Sequence, residues 1–421
     1  MSQGNESVFT WAAPPLKFGT GALAEVGMEV AGTGAASCLV ITDPGLRATG
    51  IPDQVRDLVS AAGVKTEVFD RVAVEPTDES IAEAVAYARE GDWGCFVAVG
   101  GGSAIDTAKA VNLLTTHPGE LLDYVTPPIG GGRVPDGPFK PLVAVPTTAG
   151  TGSESTTICV VDFLGLHLKG AVSHARLRPS LAIIDPMTTV SLPPQVTAAS
   201  GMDVLSHALE SYTSVSFDAK AAPEDPMRRP AFCGSNPISD VWCEMALGLV
   251  GRYLRRAVMN GRDLEARYQM MLASTYAGTG FGNAGTHLPH ANAYPIAGAV
   301  EEYRAEGYPA MPMVPHGQAV SATAAAVFRW TYPGDPGRHL KAAELLSGQT
   351  FTATDGSEAL AQVLSELMSD IEMPSGLRSF GYDEDDLDTL VAGTMKQTRQ
   401  LAVVPRPVTP GALHGIFRQS L

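Results

Sequence analysis

In the stretch GMDVLSHALE, residues 201–210, Asp203 and His207 stand four positions apart among Val, Leu and Ala. On a helix that spacing stacks a carboxylate and an imidazole on one face, and both need a partner in apolar surroundings. Two more imidazoles sit in comparable settings, His290 in GTHLPHANAYPIAG and His316 at the Pro-His-Gly turn of VPHGQAV. One carboxylate and three imidazoles make a mixed oxygen–nitrogen donor set that suits a divalent first-row metal, Fe(II) or Zn(II), with positions open for a substrate. Spacing along a chain does not establish convergence, and a single histidine is more often structural. Of the nine histidines, His117 precedes Pro-Gly, His174 lies in a polar basic stretch, His287 precedes His290, and His339 and His414 are expected at the surface.

A second chemistry is suggested by VAVGGGSAIDTAKA, residues 97–110, which runs from a strand through three glycines into a helix. Gly100, Gly101 and Gly102 allow close backbone approach to a ligand, and Ser103 with the following N–H groups can receive an anion at the helix start. This is not the G-x-G-x-x-G fingerprint, and a plain strand-to-helix turn explains it about as well. The loop VPTTAGTGSEST, 145–156, offers Thr147, Thr148, Thr151 and Ser153, hydroxyls able to donate to phosphates and a carboxamide without adding charge. Asp43 ends a strand where it could accept from both ribose hydroxyls and favour NAD over NADP. It could equally open a turn before Pro44 and Gly45.

The elements that must position these groups fall into two textures. SCLVITD (37–43), VKTEVFD (64–70), CFVAVGGG (95–102), KPLVAVPTT (140–148) and SLAIIDP (180–186) read as strands, the second more exposed than the rest. Between them QVRDLVSAAG and DESIAEAVAYAREG have helical spacing, the latter with Thr77 and Asp78 as caps. That alternation predicts an α/β domain over 1–190, a parallel sheet with flanking helices and ligands beyond the carboxyl ends of its strands. From about 191 to 421 long Ala/Leu/Met-rich helical patterns replace strands, as at 239–257, 264–280 and 356–370, so an all-α second domain is expected there. A Pro-rich loop spans 216–240.

Composition bounds the partners. A chain of 421 residues with 45% hydrophobic and 18% charged residues is globular, and a net charge of −16 argues against nucleic acid and anionic membrane surfaces. Five scattered cysteines without a C-x-x-C pair suit a reducing compartment, and the first residues carry neither a secretory nor a transit signature, so a cytoplasmic location is expected.

In order, GGGSAIDTAKA, VPTTAGTGSE, GMDVLSHALE, PHANAYPIAG and VPHGQAV resemble the signatures of the iron-containing (group III) alcohol dehydrogenases, and the C-terminal segments MPSGLRSFGYDEDDL and VPRPVTPGALHGIFRQS are similar to the family's tail. The resemblance implies the dehydroquinate synthase-like fold, with a dinucleotide-binding α/β domain, a helical metal-binding domain and the active site in the cleft between. It implies Asp203, His207, His290 and His316 as metal ligands and the pyrophosphate on Gly100, Gly101, Gly102 and Ser103. Asp106, Thr147, Thr148, Thr151, Ser153 and Lys169 would line the rest of the NAD(H), with Asp43 at the ribose. RPAFCGSNPISDVW, GFGNAGTHLPHANAYPIAG and VAVEPTDES are most similar to the hydroxyacid-oxoacid transhydrogenase branch. That branch oxidises 4-hydroxybutyrate to succinic semialdehyde while reducing 2-oxoglutarate to 2-hydroxyglutarate. Where many family members have a second histidine, four residues after the first C-terminal ligand, this chain has Tyr294, a candidate proton relay. Small alcohols, hydroxyacids or oxoacids are the implied partners, in a homodimer or larger homo-oligomer. An ordinary NAD-dependent alcohol dehydrogenase with exchangeable cofactor and a dehydroquinate-synthase-like lyase are the alternative readings.

Overall fold

The computed structural model describes residues 5–166, 168–226, 229–230 and 232–421. Three positions of the 216–240 loop, Met227, Arg228 and Ala231, lie outside the described residues.

The first compact unit, Ala13–Leu192, is built on a six-stranded sheet. Its strands are β1 (Leu16–Phe18), β2 (Ser37–Ile41), β3 (Lys65–Phe69), β4 (Cys95–Gly100), β5 (Leu142–Pro146) and β8 (Leu181–Ile184). They run in the order β1-β8-β5-β4-β2-β3, every pairing parallel. Strand β4 is buried at all six positions and sits centrally, whereas β3, with alternating exposure, forms an edge. The near-continuous apolar run of one and the alternating pattern of the other follow from those places in a sheet covered by helices on both faces. An antiparallel hairpin of β6 (Ile158–Phe163) and β7 (Leu168–Ser173) stands apart from this sheet, and neither it nor β1 is expected from the strand pattern. The helix Asp78–Arg89 starts at the expected cap: Thr77 Oγ1 accepts from Ser80 N at 3.0 Å and Ser80 Oγ accepts from Thr77 N at 3.0 Å.

The second unit comprises Pro193–Leu421 together with the described residues up to Ala12. The sequence pattern assigns those first residues to the α/β part; packing assigns them here. Ala12 N donates to Asn283 Oδ1 at 2.9 Å, Asn283 Nδ2 donates back to Ala12 O at 3.0 Å, and the Phe9 and Phe217 rings meet edge to face at 4.8 Å. Contacts across 271 positions carry no local signal.

This unit is helical, with Pro194–Thr213, Pro237–Met259 and Leu264–Ala284 packed on one another. Small residues set the approach: a Cβ on Gly201 would meet Leu254 Cδ1 at 2.2 Å, and one on Gly280 would meet Cys243 Sγ at 2.6 Å. Pro194–Thr213 is the innermost helix, buried at nearly every position beyond its first turn. Among the described residues no helix is long and apolar enough to cross a membrane, and all five cysteines are unpaired.

Candidate metal centre and cofactor loops

Asp203, His207 and Glu210 lie at i, i+4 and i+7 on the innermost helix, so one buried stripe carries all three. His290 enters from the helix Leu288–Gly298 and His316 from the first turn of His316–Ser321. Three imidazole Nε2 atoms converge on Asp203 Oδ1, at 3.5 Å from His207, 3.6 Å from His290 and 3.7 Å from His316. These separations are too long for hydrogen bonds. They are close to the roughly 3–3.5 Å expected between neighbouring donors that each lie ~2.0–2.2 Å from a shared ion. Asp203 Oδ1 and His290 Nε2 are buried and have no hydrogen-bond partner in the protein. Orphaned buried donors and acceptors are costly, so the donor set fits a cation.

The neighbours hold these side chains in place. Glu210 Oε1 pairs with His290 Nδ1 at 2.6 Å, while Glu210 Oε2 accepts from His287 N at 2.6 Å and His290 N at 3.3 Å. With Nδ1 engaged, His290 turns Nε2 inward, as metal-ligating histidines do when a carboxylate holds the other nitrogen. The Phe281 ring stacks on His207 at 3.8 Å with planes 3° apart. Gly317 brings His316 against the central helix, since a Cβ there would lie 1.8 Å from Ala199 O. Electrostatics follow from burial. Burial raises the Asp203 carboxyl, but His207, His316 and His290 together hold it below the usual carboxylate range. Burial pushes the His207 imidazole down to about 3 despite Asp203, whereas Glu210 and Asp203 overcome burial at His290 and raise it to about 9.

Three other histidines take structural places. His287 is buried, accepting from Leu288 N through Nδ1 and meeting Thr213 Oγ1 through Nε2 at 3.0 Å. His339, expected at the surface, is 1% exposed, with ring nitrogens against Thr331 Oγ1 at 2.8 Å and Asp335 O at 2.7 Å. It lies on the buried stripe of its helix with Ala342, Ala343 and Leu346, and the polar residues beside it in the sequence mask that. His414 is half-buried beside Asp388 at 2.7 Å. Tyr294 is buried one turn beyond His290 in the same helix.

In the α/β unit, β4 ends in Gly100 and the helix Gly102–Thr116 begins at once, with β5 and the threonine loop alongside. A Cβ on Gly101 would lie 3.2 Å from Thr148 Oγ1, and one on Gly102 would lie 2.7 Å from Thr151 Cγ2, so the two loops touch because the glycines lack side chains. Thr147 N donates to Gly100 O at 3.0 Å. Several candidate side chains are engaged within the protein. Asp106 Oδ2 accepts from Val160 N at 2.9 Å, and its Oδ1 takes the Ser153 hydroxyl and Lys109 Nζ. Ser103 Oγ accepts from Glu75 N at 3.1 Å, and Lys169 pairs with Glu75. Thr151 Oγ1 accepts from Ser153 N at 3.3 Å. Asp43 caps the helix Pro44–Arg47 through Oδ1, accepting from Leu46 N at 2.8 Å, with Oδ2 directed toward Gly100.

Residues that sequence reasoning passes over complete both groups. Glu210 is legible as the i+3 companion of His207, and Phe281 carries no such signal. Lys109 is fully buried, donating to Ser153 Oγ at 2.8 Å, Thr156 Oγ1 at 3.0 Å and Ile158 O at 2.6 Å, which ties the glycine loop's helix to the threonine loop. Glu154 is buried beside it, and desolvation raises its carboxyl to about 7 against the pull of Lys109.

A parallel-sheet unit with a glycine loop and a helical unit with a buried Asp–His cluster define a class of dehydrogenase. The chain belongs to the iron-containing alcohol dehydrogenase family: the model described as Iron-containing alcohol dehydrogenase matches residues 14–186, and the family's C-terminal model matches residues 231–421. It is 44% identical over 418 residues to the mitochondrial hydroxyacid-oxoacid transhydrogenase of Bos taurus, covering 98% of this chain and 90% of that one. Among solved structures, a 1,3-propanediol oxidoreductase superimposes with a TM-score of 0.86 at 31% identity, over 99% of this chain and 100% of that chain. A sulfoacetaldehyde reductase from Bifidobacterium kashiwanohense in complex with NAD+ gives 0.81 at 27% identity, over 98% and 99%. The chain is thus an oxidoreductase of the transhydrogenase branch. The expected cytoplasmic location does not stand: the Bos taurus relative is mitochondrial by name. Composition misleads here because organelle addresses are short segments read by receptors, while charge and cysteine usage report only on solubility and redox state.

Proposed function

We propose that this protein moves a hydride from a hydroxyacid to an oxoacid through NAD(H), oxidising 4-hydroxybutyrate to succinic semialdehyde and reducing 2-oxoglutarate to 2-hydroxyglutarate. What supports this reading above all is the convergence of three imidazole nitrogens on one buried carboxylate oxygen, in a chain 44% identical to a hydroxyacid-oxoacid transhydrogenase. Asp203, His207, His290 and His316 would hold a divalent metal, iron by the family's name. Such an ion polarises a substrate oxygen as a Lewis acid while the nicotinamide carries the hydride.

The chain's own groups supply geometry. Glu210 fixes the direction of His290, and Phe281 fixes the plane of His207. The backbone N–H groups of Gly101, Gly102 and Ser103 would receive the pyrophosphate at a helix start, with the free Asp43 oxygen taking the ribose hydroxyls. Thr147, Thr148 and Thr151 are assigned to the rest of the nucleotide; Asp106, Ser153 and Lys169 brace the loops behind it. Tyr294 is assigned the proton relay. The test is to supply the purified, metal-replete protein with 4-hydroxybutyrate and 2-oxoglutarate and no added NAD. Formation of succinic semialdehyde and 2-hydroxyglutarate in equal amounts is the expected result. Turnover only with stoichiometric NAD would return the protein to ordinary alcohol dehydrogenases.

A further inference from the structure

Arg399 is the only lysine or arginine among the described residues with a buried side-chain nitrogen, Nη1, that has no hydrogen-bond partner. Most other guanidiniums of the helical unit are engaged: Arg229 with Glu6, Arg255 with Asp370, Arg256 with Asp263, Arg329 with Glu358 and Arg338 with Asp240. Arg399 instead lies over the Phe232 ring, 4.9 Å from guanidinium carbon to centroid. A ring face attracts the cation but does not accept its in-plane N–H groups, which keep their fork free for a planar anion.

The place of this arginine follows from the chain around it. Phe232 packs on Gly285, where a Cβ would lie 2.5 Å from the ring. Backbone bonds hold it there, Cys233 N to Asn283 O and Gly234 N to Ala284 O, both 3.0 Å. Gly285 N donates to Phe281 O at 2.7 Å, and Phe281 stacks on His207. Contacts in series, Phe281 to Gly285 to Phe232, therefore link the Asp–His cluster to the Arg399 guanidinium, whose Nη1 has no partner. We propose that Arg399 determines substrate specificity by binding the carboxylate remote from the reacting carbon, with the methylenes of the hydroxyacid or oxoacid along Phe232. This rests on the hydroxyacid reading above. In a chain of net charge −16 an anionic substrate needs such a local cation.

The holoenzyme and its Arg399→Gln and Arg399→Lys variants test it. For Arg399→Gln, KM for 4-hydroxybutyrate is expected to rise ~10–100-fold, the worth of a charge-assisted bidentate pair, with kcat changed far less. Metal content, NAD affinity and melting temperature should stay near wild type. Glutarate, an unreactive dicarboxylate, should bind the wild type by calorimetry and lose at least about tenfold in affinity in the variant. Arg399→Lys, which keeps charge but not the fork, should fall between, and it carries the test alone if the glutamine variant does not fold. Unchanged glutarate affinity and KM, or a parallel loss of metal, melting temperature and kcat, would overturn the assignment. Wild-type protein that oxidises neutral alcohols but not 4-hydroxybutyrate would instead sink the hydroxyacid reading, and this inference with it.

Discussion

The Asp–His cluster of the helical unit and the glycine–threonine loops of the α/β unit are built on opposite principles. In the cluster the protein leaves side-chain atoms unsatisfied: Asp203 Oδ1 and His290 Nε2 are buried without partners. In the loops the polar side chains are mostly satisfied by one another, as Asp106, Ser153 and Lys109 are, and what is kept clear is backbone beside Gly101 and Gly102. One site is made of donors awaiting a ligand, the other of missing side chains. A ligand in the first replaces absent bonds; a ligand in the second lies against main-chain N–H groups. Side-chain deletions should therefore damage the first, and side-chain additions the second.

The sharpest break comes from His290→Ala. Activity should fall by more than ~100-fold, beyond what loss of an outer-shell partner costs, with metal content reduced and the helical circular-dichroism signal kept. Retention of full activity would falsify the ligand assignment. Glu210→Gln leaves the donor set whole but loosens His290, so metal affinity should drop ~10–100-fold by competition with a chelator. An unchanged affinity would mean that packing, not the carboxylate, directs the imidazole.

On the other side, Gly102→Ala places a Cβ 2.7 Å from Thr151 Cγ2. NAD affinity should fall ~10-fold, about 1.4 kcal/mol, while metal content stays constant. A parallel loss of metal would erase the contrast between the two regions. The last effect is on folding stability and not on a ligand. The Glu154 carboxyl is raised to about 7 by burial, above its ordinary value of 4.5. The folded state then holds the proton more tightly than the unfolded one, so this residue's contribution worsens as pH rises from 4.5 through 7. Glu154→Gln should gain up to about 3 kcal/mol relative to wild type above pH 7 and little below pH 4.5, read from urea midpoints across pH. A pH-independent difference would mean that Glu154 binds its proton equally well in the folded and unfolded states.

Much of the scaffold was legible because it rests on periodicity. The five expected strands all occur, and the helices at 239–257, 264–280 and 356–370 appear as Pro237–Met259, Leu264–Ala284 and Glu358–Asp370. β1 is three residues long, too short for a pattern, and the hairpin of β6 and β7 pairs outside the main sheet. In the site, Asp203 and His207 show themselves by helical spacing. His290 and His316 are recognisable as residues but not as neighbours, and His339 looks superficial until its helix is packed.

Residue order by itself determined the strand–helix alternation, the glycine break after β4 and the stripe that carries Asp203, His207 and Glu210, since each depends on backbone preferences within a few positions. Only the tertiary structure decided that His316 meets that stripe, through a glycine with no room for a Cβ beside Ala199 O. It alone left Arg399 with an unanswered N–H over Phe232, and alone satisfied Asp106 from Val160, 54 positions away. The division has a physical cause: torsional preference acts locally, whereas the burial and pairing of polar groups depend on which distant segments pack together.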